Sequence, residues 1–318
     1  MIDNATLRNT LDNVLETTDF KGVGRKIAGK VRDSYLPGDG RRILVTTDRI
    51  SAFDRILGSI PFKGQVLNQM AAFWFSRTAE IAPNAVIDVP DPNVMVVSEC
   101  EQLPLEFIVR GYITGVTETS AWTNYARGVR NLCGNPLPDG MRKDQKLEKP
   151  ILTPTTKHEE HDRNVSREEA IAEGLIDPET FDEAAAMCFR LFEAGVRHAA
   201  SRGLILVDTK YEIGRLNGKL VVTDEVHTPD SSRYWYADSY DACFAEGREQ
   251  RKLDKEYVRE WLAAQGFRGE GPIPTLTEAV RMEAARRYIE VYEQVTGLRF
   301  EPRLEPIGER IRKAIAAL

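Results

Sequence analysis

Cysteine is scarce in this chain, with four residues in 318 (Cys100, Cys133, Cys188 and Cys243), and none forms a CxxC pair. That spacing excludes a disulfide framework and a cysteine-built zinc site, and it suits reduced thiols in a cytoplasmic protein. Histidine is equally scarce. The only close pair, His158 and His161, sits in the Thr/Pro-rich string TPTTKHEEHDRNVS. A zinc protease spaces its two histidines one residue further apart and on a helix, so this pair is rejected as such a site. No GxSxG nucleophile signature occurs. No apolar run approaches the ~18 residues of a membrane span. The N-terminal MIDNATLRNTLDNVLETTDF is amphipathic and acidic, without the apolar core of a signal peptide, so neither export nor a membrane is expected. A basic excess is missing too. The formal net charge of -6 argues against a nucleic-acid partner, although local clusters of Lys and Arg can still meet small anions.

What is present is a globular composition, 42% hydrophobic and 29% charged, long enough for two lobes sharing a cleft. Leu7, Leu11, Val14 and Leu15 share a helical face and predict a helix over 3–17. VRDSYL and RRILVTTD read as strands joined by the turn Pro37-Gly38-Asp39-Gly40, and QVLNQMAAFWFSRTAEIA as a helix. Strands follow at VIDVP, NVMVVSEC and PLEFIVRGYITG. Residues 131–165 read as a long functional loop. Ser166 with Glu169 forms a capping box, and Asp177-Pro178 starts a helix to about residue 202. LILVDTKYEIGRLNGKLVVTDEV is a hairpin around Asn217-Gly218, and helices near 246–264, 277–296 and 307–317 close the chain.

Three features carry chemistry. GRKIAGK (24–30) fits GxxxxGK, but Val31 stands where a P-loop needs Ser or Thr, and a strand follows where that loop needs a helix. A glycine-rich turn between strands, covering phosphates with backbone N–H groups, fits better, with Lys30 and Arg32 expected on one strand face. In the hairpin, Asp208, Lys210 and Glu212 alternate onto one face, and Asp224 ends the return strand. Magnesium takes oxygen ligands, commonly one or two carboxylates plus phosphate oxygens, which makes Glu212 and Asp224 the candidate metal pair. A plain two-residue turn would pair Glu212 with Thr223, so a three-residue loop with a bulge at Gly218 is expected, bringing Asp224 opposite Glu212. Lys210 beside them would neutralise phosphate charge. Finally, TTDRISAFD, PFKG, RGYITG and TPDSSRYW each set a cation beside hydroxyls or glycines, which suits phosphate or carboxylate recognition.

Taken together, GKVRDSY, TTDRISAFD, LEFIVRGYITG, TKHEEHD, LILVDTKYEIG and DEVHTPDSSRYW resemble, in order, the motifs of the SAICAR synthetase family, phosphoribosylaminoimidazole-succinocarboxamide synthase. The resemblance spans roughly residues 25 to 260. It implies an α+β, two-lobed fold related to ATP-grasp enzymes and protein kinases, with antiparallel sheets, flanking helices and ATP in the interlobe cleft. The expected division is a sheet-rich N-terminal lobe with the glycine-rich nucleotide loop (1–110) and a C-terminal lobe with the hairpin, substrate loops and closing helices (111–318). It implies that ATP, L-aspartate and carboxyaminoimidazole ribonucleotide give SAICAR, ADP and phosphate, with Mg2+ as cofactor; assembly as monomer or homo-oligomer stays open. Carried over by motif, Gly29, Lys30, Arg32, Lys63 and Lys210 would contact ATP phosphates, and Gln102-Leu103 would lie beside the adenine. Glu212 and Asp224 would bind magnesium and, with Lys210, form the catalytic set. Arg110, Ser232 and Arg233 would bind the ribotide, and Asp48, Ser51, His161 and Asp162 would face the substrates. VTETSAW after RGYITG departs from the common pattern and leaves open which of Thr114, Thr117, Thr119 and Ser120 meets phosphate.

Overall fold

The computed structural model describes residues 2–52, 55–157, 162–253 and 256–318. A short helix α1 (Asn4–Asn9) leads into strands β1 (Arg25–Ala28), β2 (Arg32–Leu36), β3 (Arg41–Thr46), β4 (Arg49–Ala52) and β5 (Arg55–Ser59). Helix α2 (Lys63–Arg77) follows, then β6 (Val86–Asp91), β7 (Val94–Ser98) and the long β8 (Glu101–Ile113). Next come α3 (Ala121–Ala126), β9 (Asn131–Leu132), β10 (Asn135–Pro136), β11 (Gln145–Leu152), β12 (Thr155–Thr156), α4 (Arg167–Ala172) and α5 (Pro178–Ser201). Strands β13 (Leu204–Leu216), β14 (Lys219–Thr223) and β15 (Ser232–Tyr236) precede the closing helices α6 (Ala237–Glu246), α7 (Glu256–Ala264), α8 (Glu278–Thr296) and α9 (Ile307–Ala316).

Two antiparallel sheets organise the chain, as an α+β fold requires. The first runs β1-β2-β3-β7-β6 and the second β11-β8-β13-β14, with β12 added to β8 and β15 to β13. Residue 110, the expected boundary between lobes, lies inside β8, all of which belongs to the second sheet. The main core packs α5 against that sheet and α2 against α8 and β3, with Trp74, Phe107 and Tyr211 in one cluster. A smaller core joins Tyr35, Ile43, Val45 and Val96 of the first sheet to Ile307, Ile311 and Ile315 of α9, one helical stripe at spacings of four. Among the described residues no helix is long and apolar enough to cross a membrane.

Three expectations change. The helix predicted over 3–17 stops at Asn9, because its apolar residues serve two cores: Leu7 and Leu11 enter the main one and Leu15 the smaller one. The Thr10 hydroxyl also turns back onto the Thr6 and Leu7 carbonyls at 3.0 Å. The segment 131–165 is not a loop, since it contains β9 to β12. Strand β11 is an edge strand with a register break between Lys146 and Ile151, and its Lys, Glu and Pro residues are the marks of an edge. The bulged hairpin loop is not formed either. Asn217 (φ 49°) and Gly218 (φ 78°) make a two-residue turn, and Glu212 pairs with Thr223.

Candidate functional site

Two cavities meet along the hairpin. The first, about 420 Å³, lies between the 29–32 turn and the β13–β14 wall. Its lining is mixed: Val31, Leu44, Ala85, Val97 and Val222 are apolar, and Lys30, Arg32, Lys157, Lys210, Glu212 and Asp224 are charged. The second, about 460 Å³, is lined by hydroxyls and charged groups, including Thr117, Thr119, Ser232, Arg110, Arg233 and Asp208. Lys30, Lys210 and Asp230 line both.

The glycine turn is tightly built. Gly29 N–H donates to the Arg32 carbonyl at 2.8 Å, and a Cβ on Gly29 would lie 2.6 Å from that oxygen. Arg49 clamps the turn from behind, donating to the carbonyls of Gly29 (2.8 Å) and Lys30 (3.1 Å) and to Asp33 (2.7 Å). Lys30 therefore sits in the turn and Arg32 on β2, so the strand face expected to carry both does not exist. The Arg32 guanidinium reaches Asp224 at 2.6 Å and Glu225 at 2.5 Å. Burial opposes its charge, but those two acids outweigh burial and raise its pKa.

The acids share a cavity although the register is the unbulged one. Asp224 has φ 58°, a left-handed residue just past the end of β14 that turns its carboxylate into the first cavity. Glu212 is gripped by Lys157 and by Lys210, the latter at 2.9 Å. Burial works against the Glu212 charge, yet Lys210 and Lys157 prevail and hold its pKa well below the carboxylate range. Asp224 shifts the other way: burial raises it, Arg32 resists, and Glu212 and Glu225 add to the rise. Two neighbouring acids pushed apart in this way make this cavity the candidate site. Lys210 also binds Glu106 at 2.6 Å, bridging two glutamates that face each other directly in the β13–β8 ladder. Its own pKa rises because Glu212 and Glu106 overcome burial.

The remaining expected residues divide. Ser51 and Gln102 line the first cavity, and Arg110, Asp162, Ser232 and Arg233 the second. One oxygen of Asp208 holds both arginines, Arg233 at 2.7 Å and Arg110 at 3.3 Å. The Leu103 side chain belongs to the core. Lys63 is fully buried off both walls, paired with Asp230 at 2.8 Å and 5.4 Å from the Tyr288 ring centre. Asp48 is also buried off both walls, accepting N–H groups from Leu15 and Gly64 at 2.8 Å each; burial pushes its pKa up to about 6. His161 lies outside the described residues. Of the open hydroxyls, Thr117 and Thr119 line the second cavity, whereas Thr114 bonds Asp144.

Sequence reading missed Glu106, Lys157 and Asp230. Strand alternation could have found Glu106, which shares a face of β8 with Arg110; the other two depend on folding. Among the described residues no three His, Cys, Asp or Glu side chains converge as a metal cage. A pair of carboxylates completed by phosphate oxygens is nonetheless the donor set magnesium prefers, and Glu212 with Asp224 fits it.

A charged ribbon between a half-apolar cavity and a hydroxyl-lined one, on an α+β scaffold, is the arrangement of an enzyme handling small anionic molecules. A family model described as SAICAR synthetase matches residues 25–272. The chain belongs to the SAICAR synthetase family, ligases of purine biosynthesis. It is 49% identical over 293 residues to the phosphoribosylaminoimidazole-succinocarboxamide synthase of Legionella pneumophila (strain Lens), covering 91% of this chain and 93% of that one. The chloroplastic synthase of Arabidopsis thaliana is 48% identical, covering 97% of this chain and 77% of its own. Among solved structures, the SAICAR synthase of Saccharomyces cerevisiae complexed with SAICAR superposes with a TM-score of 0.79 at 32% identity, over 90% of this chain and 99% of that one. A SAICAR synthetase in complex with ADP shares the fold at 23% identity, with a TM-score of 0.67 over 87% of this chain and 100% of its own.

Proposed function

We propose that the protein joins L-aspartate to carboxyaminoimidazole ribonucleotide, using ATP, to give SAICAR, ADP and phosphate through an acyl phosphate. The observation that carries this reading is the pair of cavities meeting at Lys30, Lys210 and Asp230. The apolar residues of the first cavity suit a purine ring and its charged residues a triphosphate. The hydroxyls and arginines of the second suit a sugar phosphate and carboxylates. The yeast relative's complex with SAICAR supports the same ligand class here. The nucleotide would then lie between the 29–32 turn and the β13–β14 wall.

A carboxylate condenses poorly with an amine because its oxygen is a poor leaving group. In this reading a carboxylate oxygen of the ribotide attacks the γ-phosphorus and ADP departs. The aspartate amine then attacks the acyl carbon, loses a proton, and phosphate leaves. Lys210, at the junction of the cavities, faces the transferring phosphoryl group, and Arg110, Arg233 and Ser232 fix the ribotide in line with it. Glu212 and Asp224 would hold magnesium, which supplies charge neutralisation at the phosphoryl oxygens.

The test is ADP release with the ribotide present and aspartate, glutamate or no amine added. Amide formation dependent on aspartate is expected. With oxygen-18 in the ribotide carboxylate, label should enter phosphate only when aspartate is supplied; phosphate free of label would refute the acyl phosphate.

A further inference from the structure

The two candidate metal acids differ in the cations that hold them. Asp224 is fixed by Arg32, which also grips Glu225, a buried arrangement anchored on β2. Glu212 is held by two lysines. Lys210 shares its ammonium between Glu212 at 2.9 Å and Glu106 at 2.6 Å. It cannot leave without setting two glutamates face to face across the ladder, where like charges repel. Lys157 is placed differently. It follows β12, its backbone N–H donates to the Pro104 carbonyl at 3.1 Å, and among the described residues its ammonium has one partner, Glu212. It lines the first cavity only.

We infer that Lys157 is a placeholder cation, occupying one oxygen of Glu212 until a divalent metal displaces it and then turning to the nucleotide's phosphates. The inference rests on the reading of Glu212 as a metal ligand. The first cavity is lined by Glu212, Asp224 and Glu225 together, and without cations they would repel one another. An ammonium on a carboxylate oxygen occupies one of its lone pairs and repels a divalent ion approaching the same oxygen, so Lys157 opposes metal binding at Glu212. The long flexible lysine stem lets the ammonium swing while its backbone stays pinned. The anionic nucleotide tail in the same cavity is its natural second partner. Lys157 is therefore expected to cost metal affinity and to help turnover, effects of opposite sign.

The experiment measures Mn2+ binding without nucleotide, from the electron paramagnetic resonance signal of the free ion. Lys157→Met and Lys157→Gln should each bind Mn2+ about tenfold more tightly than the native chain, the size of one lost charged hydrogen bond. Lys157→Arg should stay near native, and so should Arg42→Met, which removes a cation of the same cavity that pairs with Glu99. The gain should vanish in Lys157→Met/Glu212→Gln. In turnover assays the Mg2+ half-saturation of Lys157→Met should fall while kcat also falls; a variant with damaged folding would bind metal more weakly. Mn2+ binding by the native chain that neither variant tightens, or a gain that survives in the double variant, overturns the inference. Absence of Mn2+ binding in every variant without nucleotide overturns the inference; absence with ADP present as well overturns the metal reading itself.

Discussion

The two cavities are similar in size and differ in how they would select a ligand. The first combines several apolar side chains with a dense cluster of opposite charges; the second is lined mainly by hydroxyls and charged groups, with Ile108 and Pro229 as its apolar members. A slot of apolar side chains discriminates by shape and tolerates small errors. A wall of hydrogen-bonding groups penalises any ligand that leaves them unpaired. The first cavity would thus serve a common currency molecule and the second a particular substrate. Lys210 belongs to both, so a change there should not be assignable to either.

That contrast can be tested from the largest effect downwards. Glu212→Ala should lower turnover by on the order of a thousandfold or more, because it removes a metal carboxylate and strands Lys157. Steady-state rates check it, and near-native turnover would remove Glu212 from the metal site. Arg233→Met should raise the KM for the ribotide by roughly a hundredfold, the scale of a lost charge-assisted contact, with the KM for ATP nearly unchanged. Equal rises in both constants would dissolve the distinction between the cavities. Gly29→Ala should do the reverse at about tenfold, since its Cβ would meet the Arg32 carbonyl at 2.6 Å and deform the turn over the first cavity alone.

The smallest effect concerns Asp48, outside both cavities. Its folded pKa of about 6 lies above the ordinary value of 3.8, so the folded state binds the extra proton. Stability from this group is greatest below the unfolded value and declines as pH rises from about 4 to 6, levelling off above. In Asp48→Asn that slope should be missing from thermal melts taken across the window. A loss of ribotide or ATP binding without a change in melting would instead return Asp48 to the substrate site.

How much of this was legible beforehand depended on the range of the interaction. The alternation in LILVDTKYEIG and the turn residues Asn217-Gly218 are local, and they placed Lys210 and Glu212 on the correct face. The bulge was wrong because the left-handed Asp224, whose carboxylate Arg32 holds from another sheet, rather than the turn, brings that acid inward. Lys157 went unnoticed for the same reason, since it meets the hairpin across 55 residues of chain, whereas Glu106 was legible from its place on the Arg110 face of β8. Asp48 misled in the opposite sense. Its neighbours Thr46, Thr47 and Arg49 read as an anion site, yet Asp48 takes two backbone N–H groups and Arg49 backbone carbonyls. Edge strand β11 was lost in its own charges, whereas the Ser166 and Asp177 caps were found because a cap is a few residues long.

The clamp under the glycine turn has one more implication. With the oxygens of Gly29 and Lys30 drawn toward Arg49, planar trans peptides must turn the amide hydrogens of Lys30 and Val31 the other way. Main-chain dipoles, not only removable side chains, then greet an incoming anion. An arginine on the far side of the loop thus acts as a tuning peg for that polarity, and selection on ligand affinity can operate through a residue that never touches the ligand.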